Sequence, residues 1–408
     1  MKYIQLKNLY YADKNAYEKA YVERYQGIGT IKLPIKIKKH PAFIANTKEL
    51  TILTESIFRK AMRINEYDFL LPDVAKSFRE RSCLIDEIQM SNDIEGVNSS
   101  KAEISEALTN TKSKKELRFS GIVNKYVKIL NNEKDLSEDI YSISGIRKLY
   151  DEIFLNEIPL DDRPDGLFFR TNKVFVRNPR QKIIHAGLTP ESEIISNMEK
   201  SISMLQNEEI PYLYRVAAFH YCFGYIHPFY DGNGRMGRFM SSALFAHVLP
   251  PLMSIRLSYV IKKKKDQYYK AFEDVNDSKN RGDVTPFVLK FLSFVDEAAD
   301  TLLDRIEQQV AALNEILTVI NLLHDDGVLK KREGDIMFLL AQNYLFADEP
   351  FSMKELSETL KVSWSTEKAS IDEIIRKGFP VTVSQEGKTK RIRLNVKGFL
   401  DEYREKYE

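Results

Sequence analysis

The spacing of apolar residues changes along this chain, and each change predicts a different element. Near the start, Thr30-Ile31-Lys32-Leu33-Pro34-Ile35-Lys36-Ile37 alternates apolar and polar positions. A period of two predicts a strand, and the proline inside it restricts that strand to a sheet edge or an extended arm. From Glu49 the period becomes helical, with Ile52, Ile57, Phe58, Ala61 and Met62 recurring at helical steps. Helical patterning then predicts segments at 48–64, 73–95, 101–112, 117–132, 137–153, 191–206, 211–226, 233–249, 263–275 and 284–324. The exception is 166–188, where Val174-Phe175-Val176 and Ile183-Ile184-His185 flank the polar Arg177-Asn178-Pro179-Arg180. That pattern reads as a β-hairpin with a polar tip.

Within 302–324, Leu303, Ile306, Val310, Leu313, Leu317 and Ile320 follow a three-four spacing. Such a seam suits a long helix packing on its own core, and it also suits a linker helix that makes a homodimer contact. Gly327 and Gly334 then punctuate the chain. Residues 335–400 read as three helices (335–345, 352–360, 364–377) and two strands, Val381-Thr382-Val383 and Ile392-Arg393-Leu394. That order is the winged helix-turn-helix plan. The expected fold class is mainly α. The expected division is an N-terminal region at 1–100, a helical core at 101–292, a linker helix at 293–334 and a winged-helix domain at 335–408.

Composition narrows the picture. The 408 residues are 43% hydrophobic and 29% charged, ordinary for a chain with a sizeable core. Lys+Arg 61 against Asp+Glu 59 gives +2, which does not suggest a nucleic-acid coat or a membrane-surface protein. Cys83 and Cys222 form no metal-binding pattern or disulfide framework. No apolar signal core or membrane-spanning run is visible, so a soluble, cytoplasmic protein is the expectation.

The segment His227-Pro228-Phe229-Tyr230-Asp231-Gly232-Asn233-Gly234-Arg235-Met236-Gly237-Arg238 carries the candidate chemistry. Pro228 stops the preceding helix, and a new helix begins near Gly234. A glycine-rich turn at a helix N-terminus is an anion site, because its N–H groups have no intrahelical partners. Gly232 and Gly234 let the backbone approach a phosphate. Arg235 and Arg238, three apart, can face one side and bind phosphates through their forks. Asp231 offers a hard oxygen that suits magnesium. His227 at the mouth of the loop can take a proton from an attacking hydroxyl.

The string matches HPFxxGNGRxxR, and the chain thereby resembles the Fic family. Eight specified residues at ~5% each over ~400 positions arise by chance on the order of 10⁻⁸ times. The resemblance spans roughly 90–292 and implies an all-helical Fic core with a small hairpin flap at 172–186. It implies transfer of AMP from ATP to a protein Ser, Thr or Tyr hydroxyl, with pyrophosphate released. His227 would be the base, Phe229 the anchor of the loop and Asp231 the magnesium ligand. Gly232, Asn233 and Gly234 would hold the α- and β-phosphates, and Arg235 and Arg238 the outer phosphates. The flap would dock the target as an added strand. A phosphorylating branch replaces the second glycine by lysine, which this chain does not. A phosphocholine-transferring branch is not excluded by the loop.

Upstream, Ser91-Asn92-Asp93-Ile94-Glu95-Gly96 resembles the family's inhibitory motif, [S/T]xxxE[G/N]. Glu95 paired with Arg238 would hold ATP in a non-productive pose. Downstream, Tyr268, Tyr269 and Asn280 resemble the adenosine-side positions; helix packing and capping is the competing reading of each. His220 reads as a buried, hydrogen-bonded core residue, and His185 as a solvated strand position. Lys262 to Lys265 read as a solvated basic face.

Two other functions remain open. Glu95 could position water to remove AMP from a modified target. Alternatively, the winged-helix unit could bind DNA while the core senses nucleotide. From Lys330 to Glu408, 15 Lys+Arg face 14 Asp+Glu, and the third helix offsets Lys368, Arg376 and Lys377 with Glu367, Asp372 and Glu373. Only the wing is more basic, with Lys388, Lys390, Arg391 and Arg393 against Glu386, so the charge pattern gives DNA binding weak support.

Overall fold

In a computed structural model of the chain, residues 3–109, 117–133, 135–177, 183–387 and 389–407 are described. The expected hairpin tip Asn178-Pro179-Arg180, the last residues of the expected helix 101–112, and Lys388 of the expected wing lie outside them. The chain divides into two compact units, Met1–Met62 with Leu84–Thr301, and Arg63–Cys83 with Leu302–Glu408.

The first unit opens with two helices, α1 (Leu6–Ala12) and α2 (Lys14–Gln26). Periodicity does not mark them. Asp13 caps the second, accepting from the N–H groups of Asn15 and Ala16. The alternating stretch forms β1 (Ile31–Ile37), paired antiparallel with β2 (His40–Ile44). There follow α3 (Lys48–Leu70), α4 (Asp73–Glu95), α5 (Lys101–Thr109), α6 (Ser120–Leu130), α7 (Asp135–Ile140) and α8 (Ile143–Phe154). Strands β3 (Phe175–Arg177) and β4 (Ile183–Ala186) pair antiparallel. They precede α9 (Glu191–Gln206), α10 (Tyr212–Ile226), α11 (Asn233–Phe245), α12 (Pro251–Ser254), α13 (Leu257–Lys263), α14 (Lys265–Asn276) and α15 (Thr285–Asp325). Helices α3, α4 and α15 contribute residues to both units.

The expected segment 137–153 is two helices because Ser142 caps α8, accepting from the Gly145 N–H at 3.0 Å. Helices α10 and α11 form the centre of the first unit, with almost every residue buried. The nearly continuous apolar run of α10 is what a central helix requires, whereas α11 buries Arg235, Arg238, Ser241 and Ser242 as well.

The second unit contains α16 (Lys331–Phe346), β5 (Phe351–Ser352), α17 (Met353–Leu360), α18 (Trp364–Arg376), β6 (Val381–Glu386), β7 (Thr389–Leu394) and α19 (Val396–Tyr407). Its sheet has the order β5-β7-β6, all antiparallel. In α15, Leu303, Ile306, Val310, Leu313 and Ile320 are buried, while Leu317 is half-exposed. Most of the seam is therefore covered within the chain itself. The fold is mainly helical with small antiparallel sheets.

Candidate active site

Helix α10 ends at His227, whose backbone is left-handed (φ 54) and whose N–H closes on the Phe223 carbonyl at 2.9 Å. A left-handed residue terminates a helix, and Pro228 cannot continue one. The loop then drives Phe229 into the core. Its ring stacks on Tyr150 with centroids 3.7 Å apart and meets Phe169 edge-on at 5.6 Å. Gly232, also left-handed (φ 79), caps α11. Asn233 staples the loop: its side chain accepts from the Phe229 N–H at 3.0 Å and donates to the Phe229 carbonyl at 2.8 Å. The first-turn N–H groups of α11 have no carbonyl one turn earlier in the helix to meet, which is what suits a helix start to an anion.

His227 lines a cavity of about 190 Å³ with Glu95, Gly234 and Gly237. Flap residues Phe175, Val176 and Ile184 line it too, as do Phe223, Gly224 and His220 from α10 and Tyr268, Tyr269, Phe272 and Asn276 from α14. Burial lowers the His227 pKa to about 3, helped by the charge of Arg170 and by His185. A hydrogen bond with the Gly224 carbonyl opposes that shift. The imidazole is thus neutral near pH 7. With one nitrogen donating to Gly224, the other is a proton acceptor.

The two arginines of the loop part company. Arg238 is 0% exposed. Its Nη1 donates to Glu95 Oε1 at 2.7 Å, its Nε to Ser91 Oγ at 3.1 Å and its Nη2 to the Ser91 carbonyl at 2.9 Å. Burial is the largest single influence and works against its charge, but the Glu95 carboxylate together with Tyr268 and Tyr269 raises the pKa on balance. Arg235 donates instead to buried Glu157 at 2.7 Å and lies over the Phe154 ring at 4.6 Å. It does not line the cavity. The expectation that both arginines face one side differs from this placement. Residues three apart diverge by about 60° around a helix, and Glu157 draws the second guanidinium away.

Helix α4 presents Ser91 and Glu95 because it is pinned along its length. Both Glu87 oxygens accept from the Ser258 N–H, at 3.0 and 2.9 Å. Burial pushes the Glu87 pKa up to about 7. Asp86 pairs with Arg256 at 3.4 Å, and Asp93 with Lys262 at 3.4 Å. Gly96, left-handed (φ 76), ends the helix, and the Val97 N–H returns to the Asn92 carbonyl at 3.0 Å. A Cβ at Gly234 would collide with the Glu95 carboxylate, so the glycine is what admits that side chain.

Residues 140–245 match the Fic/DOC family. The chain carries a Fic domain. One relative, protein adenylyltransferase Fic of Drosophila mojavensis, is 28% identical over 177 residues, 42% of this chain and 32% of that protein. The namesake from Drosophila erecta is 29% identical over 147 residues, 35% of this chain and 26% of that protein. The chain therefore spans about a third or less of the length of these curated relatives. The crystal structure of a Fic family protein from Desulfovibrio desulfuricans G20 shares the fold, with a TM-score of 0.53 at 19% identity. That match covers 86% of this chain and 97% of that one.

Within the Fic domain, Asp231 is exposed at the loop apex, with Oδ1 accepting from the Gly232 N–H at 2.6 Å. Among the described residues, no group of three or more His, Cys, Asp or Glu side chains could hold a metal ion. A single carboxylate fits magnesium in the mode where substrate phosphates and waters supply the other ligands. Tyr268 and Tyr269 reach the cavity, but Asn280 does not line it. Asn280 donates to the Asp283 carbonyl at 2.5 Å and so ties down its own turn. His185 is half-buried rather than solvated. Its ring stacks on Tyr225 at 4.5 Å, and its Nε2 bonds the Tyr225 carbonyl at 2.6 Å. His220 is buried and saturated: Nε2 meets the Tyr268 hydroxyl at 2.8 Å and Nδ1 meets Ser241 Oγ at 2.8 Å.

Sequence reasoning placed Phe272 in the aromatic segment that starts at Tyr268 but missed Glu157, Arg170 and Asn276. Asn276 follows Tyr268 and Phe272 at steps of four, so extending the helical face would have found it. Glu157 and Arg170 carry no local signal. Among the described residues, no helix is long and apolar enough to cross a membrane.

Proposed function

We propose that this chain is a protein adenylyltransferase that moves AMP from ATP to a Ser, Thr or Tyr hydroxyl of a protein and is held back by Glu95. The 2.7 Å pair between Glu95 and Arg238, beside the α11 N-terminus, carries this reading. A carboxylate on that guanidinium occupies the fork an outer phosphate needs.

The residues divide the work as follows. His227, neutral and accepting, takes the proton of the target hydroxyl. The oxygen attacks the α-phosphorus in line, and pyrophosphate leaves toward Arg238. The amides of Gly232, Asn233 and Gly234 steady the growing charge. Asp231 would hold magnesium with the nucleotide, and the ion when bound neutralises phosphate charge. The aromatic wall of Tyr268, Tyr269 and Phe272 suits a purine.

Residues 335–408 fit a winged-helix unit in a protein-facing role better than in DNA binding. Arg376 is paired with Glu373, Lys377 with Glu333 and Arg391 with Glu349, so their charge is spent within the chain. A gel-shift series against salt checks this, with no shift expected even at low salt.

ATP labelled on the α-phosphate, with magnesium, tests the main reading on wild type, Glu95→Gly and His227→Ala. Label on protein should be strong for Glu95→Gly, faint for wild type and absent for His227→Ala. Transfer of a γ-phosphate label instead would sink the proposal. Loss of AMP from a prelabelled target on wild type would favour the reverse reaction, with Glu95 positioning water.

A further inference from the structure

Arg170 is fully buried and, among the described residues, makes no ion pair within hydrogen-bond reach. Its guanidinium is spent on backbone carbonyls. Nε donates to His227 at 2.9 Å, Nη1 to Asn172 at 2.5 Å, and Nη2 to Leu188 at 2.8 Å and Ile226 at 3.5 Å. Its own N–H donates to the Pro228 carbonyl at 3.1 Å. Asn172 precedes β3 and Leu188 follows β4. The Leu188 N–H reaches the Ile226 carbonyl at 3.1 Å, and the Gly187 N–H reaches that of Val174 at 3.1 Å. One cation thus joins the two stems of the flap to the residue that ends α10.

We propose that Arg170 is a positioning residue for His227, fastening the catalytic loop to both stems of the flap. Buried carbonyls and a buried cation satisfy one another here, and neither could be left alone cheaply. His227 holds a left-handed backbone that side chains other than glycine adopt rarely, so the surroundings must enforce it. Gly187 is part of the same device. A Cβ there would strike the Arg170 guanidinium and approach the His227 Cβ to 3.1 Å. The charged and titratable groups facing His227 are Arg170 and, from β4, His185. Lys38 in turn faces His185, while Asp165 and Tyr230 face Arg170. Removing the cation therefore removes a group that disfavours His227 protonation.

The activity half of the test rests on the nucleotidyl-transfer reading. In the full chain with Glu95→Gly, Arg170→Lys and Arg170→Gln are compared by kcat, KM for ATP, melting temperature and His227 titration. The titration is read by NMR on ¹³C-histidine-labelled protein, with His227→Ala assigning the signal. Both variants should lose kcat on the order of 10²-fold, with KM for ATP little changed, because Arg170 does not line the cavity. The His227 midpoint should rise on the order of one pH unit in Arg170→Gln and stay low in Arg170→Lys. Folded variants with kcat within about threefold of the parent overturn the proposal. So does a kcat loss in Arg170→Gln with an unmoved His227 midpoint, which marks a merely structural role. Should neither variant fold, Gly187→Ala carries the test through the same kcat loss. No transfer by Glu95→Gly alone sinks the functional reading, and the His227 titration then decides on Arg170 by itself.

Discussion

His220 and His227 lie seven residues apart, one inside α10 and one at its end, and both line the same cavity. In both, burial drives the pKa down to about 3. Their surroundings differ in one respect. His220 has both ring nitrogens engaged, with Ser241 and Tyr268. His227 has one nitrogen on a backbone carbonyl and an acceptor left over. A neutral imidazole is common to a core histidine and to a base. What separates them is whether an unprotonated nitrogen is left to receive a substrate proton.

The comparison breaks most visibly in activity. On the proposed reading, and in the Glu95→Gly background, His227→Asn should cut transfer by about 10²–10⁴-fold. His220→Asn should cost about tenfold or less, through a shifted Tyr268. Equal losses in single-turnover rates would mean that the two histidines share a role.

Stability should rank them the other way. His220→Leu takes the ring partner from the buried Tyr268 hydroxyl, while Ser241 keeps the Gly237 carbonyl at 2.8 Å, and should cost about 2 kcal/mol in urea unfolding. His227→Leu, at a half-buried cavity wall, should cost less. A larger loss at His227 would contradict the assignment of His220 as the structural member.

An effect of similar size should appear in the pH dependence. Between an ordinary imidazole pKa near 6.5 and a folded value of about 3, the unfolded chain binds protons that the folded chain refuses. Stability therefore falls as pH drops through that window, by up to about 1.4 kcal/mol per pH unit for His220. Glu87, raised to about 7, works oppositely, its contribution being lost as pH rises toward that value. The readout is thus the difference between wild type and His220→Asn at pH 4.5 to 6.5. Parallel curves would show that His220 is not held neutral by the fold.

Much of the site was legible because its parts are contiguous. The residues from His227 to Arg238 carry a helix stop, a glycine turn and a helix start. Each of these is a local conformational preference that a short sequence expresses. The same holds for α4 and α9, whose limits the apolar spacing predicts at 73–95 and 191–206. Helix α2 was not legible, because it lacks an apolar stripe and owes its start to the Asp13 cap. Asn280 was assigned by resemblance to a segment whose nearer helix, α14, supplies Asn276 to the cavity instead.

By itself the sequence determined the mainly helical class, the glycine turn at a helix start and the histidine that ends the helix before it. All three follow from residues within a few positions of one another. The tertiary structure alone decided how the two arginines are used: Arg238 goes to Ser91 and Glu95, and Arg235 to Glu157. It alone turned Arg170 inward onto four carbonyls. Those outcomes depend on which groups far apart in the chain are buried together. A buried guanidinium is satisfied by whatever acceptors folding brings within about 3 Å, and no spacing rule along the chain encodes that.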